Sequence, residues 1–450
     1  MDFIETVKQA GIVGAGGAGF PTHVKLNAKA EIFIVNAAEC EPLIETDKYL
    51  CRTFADEIVA AIAAIAAHLG AKRSVIALKA KYTAEIAALS DAIKRGGVDI
   101  EIFGMPTFYP AGDEQSMVQQ VTGRSVPERG LPLDVGAVVD NVGTVLGIYQ
   151  AMQGEAVTEK YLSVTGEVRE PVMLRVPIGT AISACIAAAC PTISDYAIIL
   201  GGPMMGRILR ERKDIDGAVV TKTTGNILIL PRDHYLITRD ARPIERIRAQ
   251  AKSACIQCRM CTDLCPRYLI GHQMRPHLVM RNLYREPVIA DEAEYVRAFG
   301  DAMNCCDCGI CEMFACPMGL SPRKVNDYMK AQLRVKGYKV DRLMDPHARE
   351  EVDRYHVPTG RLIARLGLSD YDGKHAKTCI ELAPDSVFVP FQQHIGKPAI
   401  PTKSVGDAIR RGELLAAAAE GGLSANIHAS VDGVITEINT AGARICRKEA

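Results

Sequence analysis

The sequence predicts a multidomain chain of mixed α/β and α+β class. Three observations predict it. Segments of helical and strand period alternate through residues 1–150. Two dense cysteine runs lie in a basic, helix-prone stretch at 241–345. Short strand-like runs punctuated by Gly and Pro occupy 155–240 and return from 384 to 450. The 450 residues are enough for about three or four domains at ~100–200 residues each.

In the first stretch EIFIVNAAE (31–39) reads as a buried strand. ADEIVAAIAAIAAHLG (55–70) reads as a helix closed by Gly70, and SVIALKA (74–80) as a second strand. TAEIAALSDAIKRGG (83–97) is a helix with a glycine stop, and VDIEIFG (98–104) is a third strand. This order predicts parallel strands covered by helices. In 155–240 the runs KYLSVTGEV, PVMLRVP, YAIILGG and NILILP, with a helix near TAISACIAAAC, fit a small α+β module. Residues 346–383 carry little pattern and read as a connector. The last stretch, 384–450, reads as a small β module.

Composition excludes several classes. Hydrophobic residues are 48% and charged residues 24%, an ordinary globular balance. The formal net charge is zero, so nothing draws the whole chain to nucleic acid. The N-terminus MDFIETVKQAG lacks the apolar core of a signal peptide. IVAAIAAIAAHLGA (58–71) is too short for a membrane span, which needs ~20 apolar residues. The expectation is a cytoplasmic protein with no integral membrane segment. Fifteen cysteines in a reducing compartment then point to metal ligation over disulfides.

The first run is Cys255-x2-Cys258-x2-Cys261-x3-Cys265-Pro266. This is the bacterial ferredoxin spacing for a [4Fe-4S] cluster. Short gaps let three thiolates of one loop face three irons, and the proline keeps the fourth off helical register. The second run is Cys305-x2-Cys308-x2-Cys311-x4-Cys316-Pro317, with one extra residue before its last cysteine and Cys306 spare. In two-cluster proteins the fourth cysteine serves the other cluster. The expected ligand sets are therefore Cys255, Cys258, Cys261 and Cys316 for cluster one, and Cys305, Cys308, Cys311 and Cys265 for cluster two. Residues 266–304 are helix-like, so the module reads as an α-helical ferredoxin. A pair of zinc sites is the competing reading, but zinc leaves the third cysteine and the Cys-Pro redundant. Cys40, Cys51, Cys185, Cys190, Cys379 and Cys446 read as packing residues.

Residues 11–25, GIVGAGGAGFPTHVK, satisfy G-x-G-x-x-G at Gly14, Gly16 and Gly19, with Glu39 twenty residues on. A dinucleotide fingerprint needs a strand before that loop and a helix directly after it. Here helix-like residues precede the loop and Phe20-Pro21 follows. Five glycines in nine positions still let backbone N–H groups approach an anion, and Lys25 adds charge. A plain flexible loop is the alternative.

The loop GAGGAGFPTHVK, followed by VNAAECEP (35–42), resembles the flavin-binding signature of two families. They are the NADH-oxidising flavin subunit of respiratory complex I and the RnfC component of the Rnf complex. Tyr109-Pro-Ala-Gly112-Asp113-Glu114 resembles their Tyr-x-x-Gly-Glu-Glu segment, and Asp140-Asn141-Val142-Gly143-Thr144 their Asn-Asn-Val-x-Thr segment. The resemblance implies a Rossmann-like FMN/NADH domain at 1–150. It implies that Gly14, Gly16, Gly17, Gly19 and Lys25 hold the FMN phosphate. Asn36, Glu39 and Glu41 would line the flavin and nicotinamide pocket, with Tyr109, Gly112 and Glu114 opposite and Asn141 and Thr144 on the far side. Asp113 stands where the families have glutamate.

Residues 155–240 resemble the β-grasp (SLBB) module of these families, with a plain spacer as the alternative. Residues 384–450 resemble a barrel-sandwich hybrid. The hairpin segment AEGGLSAN carries no lysine, so a structural or docking module without a swinging arm is expected. Its C-terminal position resembles the cobalamin reductases of propanediol-utilisation microcompartments. The implied activity is NADH-dependent and catalysed by cofactors. Electrons would pass through FMN and two [4Fe-4S] clusters to a corrinoid. The implied partners are a cobalamin adenosyltransferase and shell proteins, inside a bacterial microcompartment. The alternative is an electron-input subunit of an Rnf-like membrane complex. No protein nucleophile is called for. His23, His68, His234, His272, His277 and His394 read as surface or core residues and not as cobalt ligands.

Overall fold

A computed structural model describes residues 2–447. The N-terminal domain holds β1 (Ile32–Asn36), β2 (Arg73–Lys79), β3 (Glu101–Met105), β4 (Phe108–Tyr109) and β5 (Ala137–Asn141). Four of these form a parallel sheet in the order β3-β2-β1-β5. Alternate side chains of β1 enter two cores. Ile32 and Ile34 pack with Val75, Ala77, Val139 and the helix Glu114–Thr122. Phe33 and Val35 pack with Ile76, Leu78 and the helices Ala55–Leu69 and Val142–Met152. A parallel sheet covered on both faces needs such continuous apolar strands. Helix Ala55–Leu69 buries Ile58, Ile62, Ile65 and Leu69 along one stripe and stops at Gly70, whose φ of 69° is left-handed.

The next module supplies β6 (Glu159–Gly166), β7 (Val172–Pro177), β8 (Tyr196–Leu200), β9 (Arg207–Leu209) and β10 (Asn226–Pro231). The cysteine-bearing region is helical, built from Ile244–Ala254, Pro276–Asn282, Glu292–Phe299 and Pro322–Lys336 around one core. The stretch expected to be a connector is more than that. It forms β11 (Val357–Pro358), the helix Thr359–Arg365 and β12 (Cys379–Glu381). β11 pairs with β4, and β12 extends the second sheet, ordered β12-β7-β6-β10-β8-β9. Strands of two and three residues are too short to show an alternating pattern in sequence.

The C-terminal module contains β13 (Ser386–Pro390), β14 (Ile400–Pro401), β15 (Ala408–Ile409), β16 (Leu414–Ala417), β17 (Ile427–His428), β18 (Gly433–Ile438) and β19 (Gly442–Cys446). They form two sheets, β13-β19-β18-β15 and β14-β16-β17. The lysine-free hairpin between β16 and β17 ends against the N-terminal domain. There Lys222 is buried, and its ammonium donates to the carbonyls of Gly11 and Asn426, both at 2.7 Å. Gly11 is left-handed and touches Asn426, so no side chain fits there.

Lys222→Met keeps the volume but leaves two buried carbonyls without a donor. At about 1–3 kcal/mol for each of the two unsatisfied groups, the loss should be roughly 2–6 kcal/mol. An earlier unfolding transition and faster proteolytic release of residues beyond 384 would register it. Unchanged proteolysis would mean that Lys222 does not hold the module.

Candidate redox site

The N-terminal sheet changes direction between β1 and β5, and ligands of such sheets sit beyond the carboxyl ends of the strands at that switch. Asn36 and Asn141 end these two strands and are register partners. Asn36 donates to the carbonyl of Gly112 at 2.8 Å. Asn141 accepts from the Gly143 N–H at 2.9 Å and donates to Asp47 at 2.8 Å. The glycine loop lies over this point. The Ala15 N–H donates to Thr144 Oγ1 at 2.9 Å, and a Cβ on Gly16 would come within 2.9 Å of the Asn141 side chain. Gly16, Gly17 and Ala18 are exposed, and the space beside Gly17 is open.

Two expected members of the phosphate cradle have other work. Gly19 is left-handed, and a Cβ there would lie 2.9 Å from the Gln393 carbonyl of the C-terminal module. It is a packing glycine. Lys25 donates to Glu114 at 3.0 Å and to the Val139 carbonyl at 2.7 Å, and lies 3.4 Å from Asp140. Burial opposes its charge, but these two carboxylates hold its pKa above the usual lysine value. Burial pushes Asp140 up to about 6 against the pull of Lys25.

Glu39 lies in the same crevice. It is buried, accepts from the Asp47 N–H at 2.6 Å, and has its carbonyl capped by Lys79 at 3.0 Å. Burial, then the charge of Asp47, hold its carboxyl well above the ordinary range. Two further charged residues there are ones that the sequence did not single out. Burial pushes Asp47 up to about 6 against its bond from Asn141. Lys160 comes from β6, with Nζ 3.4 Å from the Ala15 carbonyl. Burial lowers it to about 8, opposed by Asp47. No local motif marks Asp47 or Lys160, because the fold brings them in from a neighbouring helix and a neighbouring module.

Three contacts lead from this crevice to the cysteines. Glu41 accepts the N–H groups of Met204 and Met205 at 2.7 and 2.9 Å, and burial pushes its carboxyl up to about 7. Met204 in turn packs against Gly309 and accepts from Arg323 at 3.0 Å. Tyr109 is 1% exposed and donates to the Cys308 carbonyl at 2.8 Å. The family resemblance puts Glu41 and Tyr109 in the nucleotide pocket, yet both are directed to the cysteine side. Gly112 lies against Cys40, where a Cβ would come within 2.6 Å. Asp113 caps the helix that begins at Glu114 and takes a two-pronged bond from Arg267 at 2.5 and 2.8 Å.

The two cysteine runs have the same backbone form around their second cysteine. Left-handed residues precede and follow the second cysteine in each, at Gln257 and Arg259 and at Asp307 and Gly309. The extra residue of the second run has a physical account. Met260–Asp263 is an α turn, whereas Cys311–Ala315 is a π turn, which absorbs one more residue before the fourth cysteine. None of the eight cysteines is joined in a disulfide. Burial raises the Cys261 thiol, and so do Cys255, Cys258, Cys265 and Cys316 around it. Burial raises Cys311, with Cys305 the foremost of the neighbouring thiols and Cys265 also among them. Such crowding favours thiolates only where cationic iron offsets their repulsion, so the donor set fits iron–sulfur ligation.

Comparison with known families agrees with this geometry. Residues 7–150 match the Nuo51 FMN-binding domain and 161–208 the SLBB domain. Residues 254–321 match the 4Fe-4S dicluster domain and 371–447 the RnfC barrel sandwich hybrid domain. The cobalamin reductase PduS of Citrobacter freundii is 40% identical over 98% of this chain and 96% of its own length. The chain belongs to the cobalamin reductase family. The PduS protein of Salmonella typhimurium is 41% identical over the same shares. The RnfC-type component of the ion-translocating oxidoreductase complex of Vibrio cholerae is 34% identical over 61% of this chain and 34% of its own. An NAD+-reducing [NiFe]-hydrogenase shares the fold with a TM-score of 0.50, at 21% identity over 79% of this chain and 63% of that one. FMN and iron–sulfur are thus the cofactors of this cobalamin reductase relative. Among the described residues no helix is long and apolar enough to cross a membrane.

Asp113→Asn should test the Arg267 contact. Removing one partner of a buried pair costs about 3–5 kcal/mol, so the urea midpoint should fall accordingly at pH 7. Burial alone would raise the Asp113 pKa, but Arg267 overrides it and holds the folded value below the usual carboxylate range. The pair's contribution is therefore full above the unfolded carboxylate value of about 4 and disappears as pH drops through the folded value. Wild type and variant should converge in strong acid.

Proposed function

We propose that the chain takes electrons from NADH and delivers them singly to a corrinoid, by way of FMN and two [4Fe-4S] clusters. The observation that carries this is continuity. Asn36, Gly112 and Cys40 run on to Glu41 and Tyr109, which contact Met204 and Cys308. Bound FMN would convert a hydride into single electrons, and each cube would pass one at a time.

The chain's own residues bind and orient. The exposed amides of Gly16, Gly17 and Ala18, with the Gly14 N–H closing the loop onto the Phe20 carbonyl at 2.9 Å, would hold the phosphate of bound FMN. Thr144 and Asn141 fix the loop from beneath. Lys25 and Glu114 secure the wall through Asp140. Glu39 and Asp47 hold a proton between them beside the ring, and Lys160 offsets their remaining charge. Cys255, Cys258, Cys261 and Cys316 would hold cluster one, and Cys305, Cys308, Cys311 and Cys265 cluster two. Tyr109 puts cluster two next to the flavin domain. The cluster-one loop is open to solvent, with Cys258 exposed and Ile256 60% exposed, so cluster one is the exit.

Family membership supports a corrinoid acceptor; a propanediol microcompartment as location, and an adenosyltransferase and shell proteins as partners, are further parts of the same proposal. The likeness to the Vibrio complex component favours a second reading, electron input to an Rnf-like membrane complex.

Anaerobic titration separates these. NADH should bleach flavin and cluster absorption, and hydroxocobalamin should restore both as reduced cobalamin appears. Bleaching without cobalamin reduction would move the function to the membrane-complex reading. No bleaching would remove the NADH assignment. Iron analysis tests the clusters independently. Two cubes require about eight irons per chain. Cys305→Ala should lose about half of them, whereas Cys306→Ala should keep all, because the crossed assignment leaves Cys306 spare.

A further inference from the structure

A cavity of about 750 Å³ opens beside the turn that follows Cys316, the fourth ligand proposed for cluster one, and no residue of the proposed electron path lines it. Its walls are the helix Tyr235–Asp240, the helix Thr359–Arg365 and the turn Pro317–Gly319, which directly follows the cluster-one ligand Cys316. Its lining holds three guanidinium groups, Arg239, Arg242 and Arg365, and no carboxylate.

The arginines are not otherwise neutralised. Arg239 is only 7% exposed. It donates to the carbonyls of Gly319, Glu312 and Leu320 and to the hydroxyls of Ser321 and Tyr235, all neutral acceptors. Its Nε is buried without a partner. Arg242 donates to the Arg239 carbonyl at 3.2 Å. Among the described residues neither Arg242 nor Arg365 forms an ion pair with a carboxylate. The nearby acid Glu312 is already held by Arg323 at 3.0 Å. Three like charges around one concavity are costly unless an anion occupies it.

We propose that this cavity binds the phosphodiester of the acceptor, seating a corrinoid nucleotide loop next to the Cys316 edge of cluster one. The volume lies in the range of small-molecule sites, about 300–1,000 Å³. Guanidinium groups bind phosphate oxygens in two-pronged fashion, so Arg242 and Arg365 supply the contact at the mouth and Arg239 the fixed charge behind it. The site rests on the corrinoid reading of the function.

The test is equilibrium dialysis of the full cluster-loaded protein against hydroxocobalamin and against cobinamide, which has the corrin ring without the phosphodiester. The double variant Arg242→Gln/Arg365→Gln should bind hydroxocobalamin at least about tenfold more weakly, the scale of one lost charge-assisted hydrogen bond. Its affinity for cobinamide and its bleaching by NADH should not change. Unchanged hydroxocobalamin binding would overturn the site, and would fit a surface for an acidic protein instead. Equal losses for both ligands would overturn it too. If wild type still reduces cobalamin in either case, only the site has failed. If wild type neither binds nor reduces a corrinoid, the functional reading fails and the site with it.

Discussion

The redox core depends on one buried ion pair. Arg267 follows Cys265-Pro266 directly, and its side chain is 10% exposed. A guanidinium is too costly to bury without a partner of fitting shape, and Asp113 provides it with both oxygens. Asp113 belongs to the segment between the N-terminal sheet and the helix Glu114–Thr122. The next residue, Glu114, holds Lys25, and Lys25 reaches Asp140 at the end of β5. Two charge clusters thus meet at the Asp113-Glu114 step: Arg267 binds Asp113 across the module boundary, and Glu114 and Asp140 hold Lys25 within the N-terminal domain. Withdrawing the cysteine module would orphan Arg267 and Asp113 together. That is why a helical module and a parallel sheet with separate cores can hold a fixed separation.

The same pair accounts for a departure from the flavin families. Where they have glutamate at the first acidic position of the Tyr-x-x-Gly-Glu-Glu segment, this chain has Asp113. The shorter side chain caps its own helix at Ser116 and still meets Arg267, with both bonds made by the same carboxylate. Tyr109, four residues earlier, contacts the second loop instead, through the Cys308 carbonyl. One short segment therefore touches both cysteine loops, one through each end.

The cysteine ligands and the sheet strands are legible in the sequence because their signals are local. Fixed spacing marks the thiols, and four or more apolar residues in a row mark β1 and β2. The x4 gap is visible as an irregularity, but the π turn that resolves it is not, since helix pitch leaves no mark in composition. β11 and β12 are hidden by their length. Gly19 reads like its neighbours in the loop. Only the approach of Gln393, more than 370 residues later, shows that its glycine serves packing. Asp47 and Lys160 have no motif to announce them. The pattern is general for this chain: sequence reports what a segment can bind, and tertiary contacts decide which way it faces.

The two loops share the turn around their second cysteine yet differ in surroundings. Around the second loop Cys308 and Cys311 are buried, and the acids Asp307 and Glu312 lie close by, each beside a base, Lys330 at 3.7 Å and Arg323 at 3.0 Å. Around the first, Cys258 is exposed, the Arg259 side chain is 51% exposed, and Met260 faces solvent. Burial therefore separates two loops that share the spacing of their first three thiols: one is enclosed against the N-terminal domain, where Tyr109 meets the Cys308 carbonyl, and the other opens to water at Cys258.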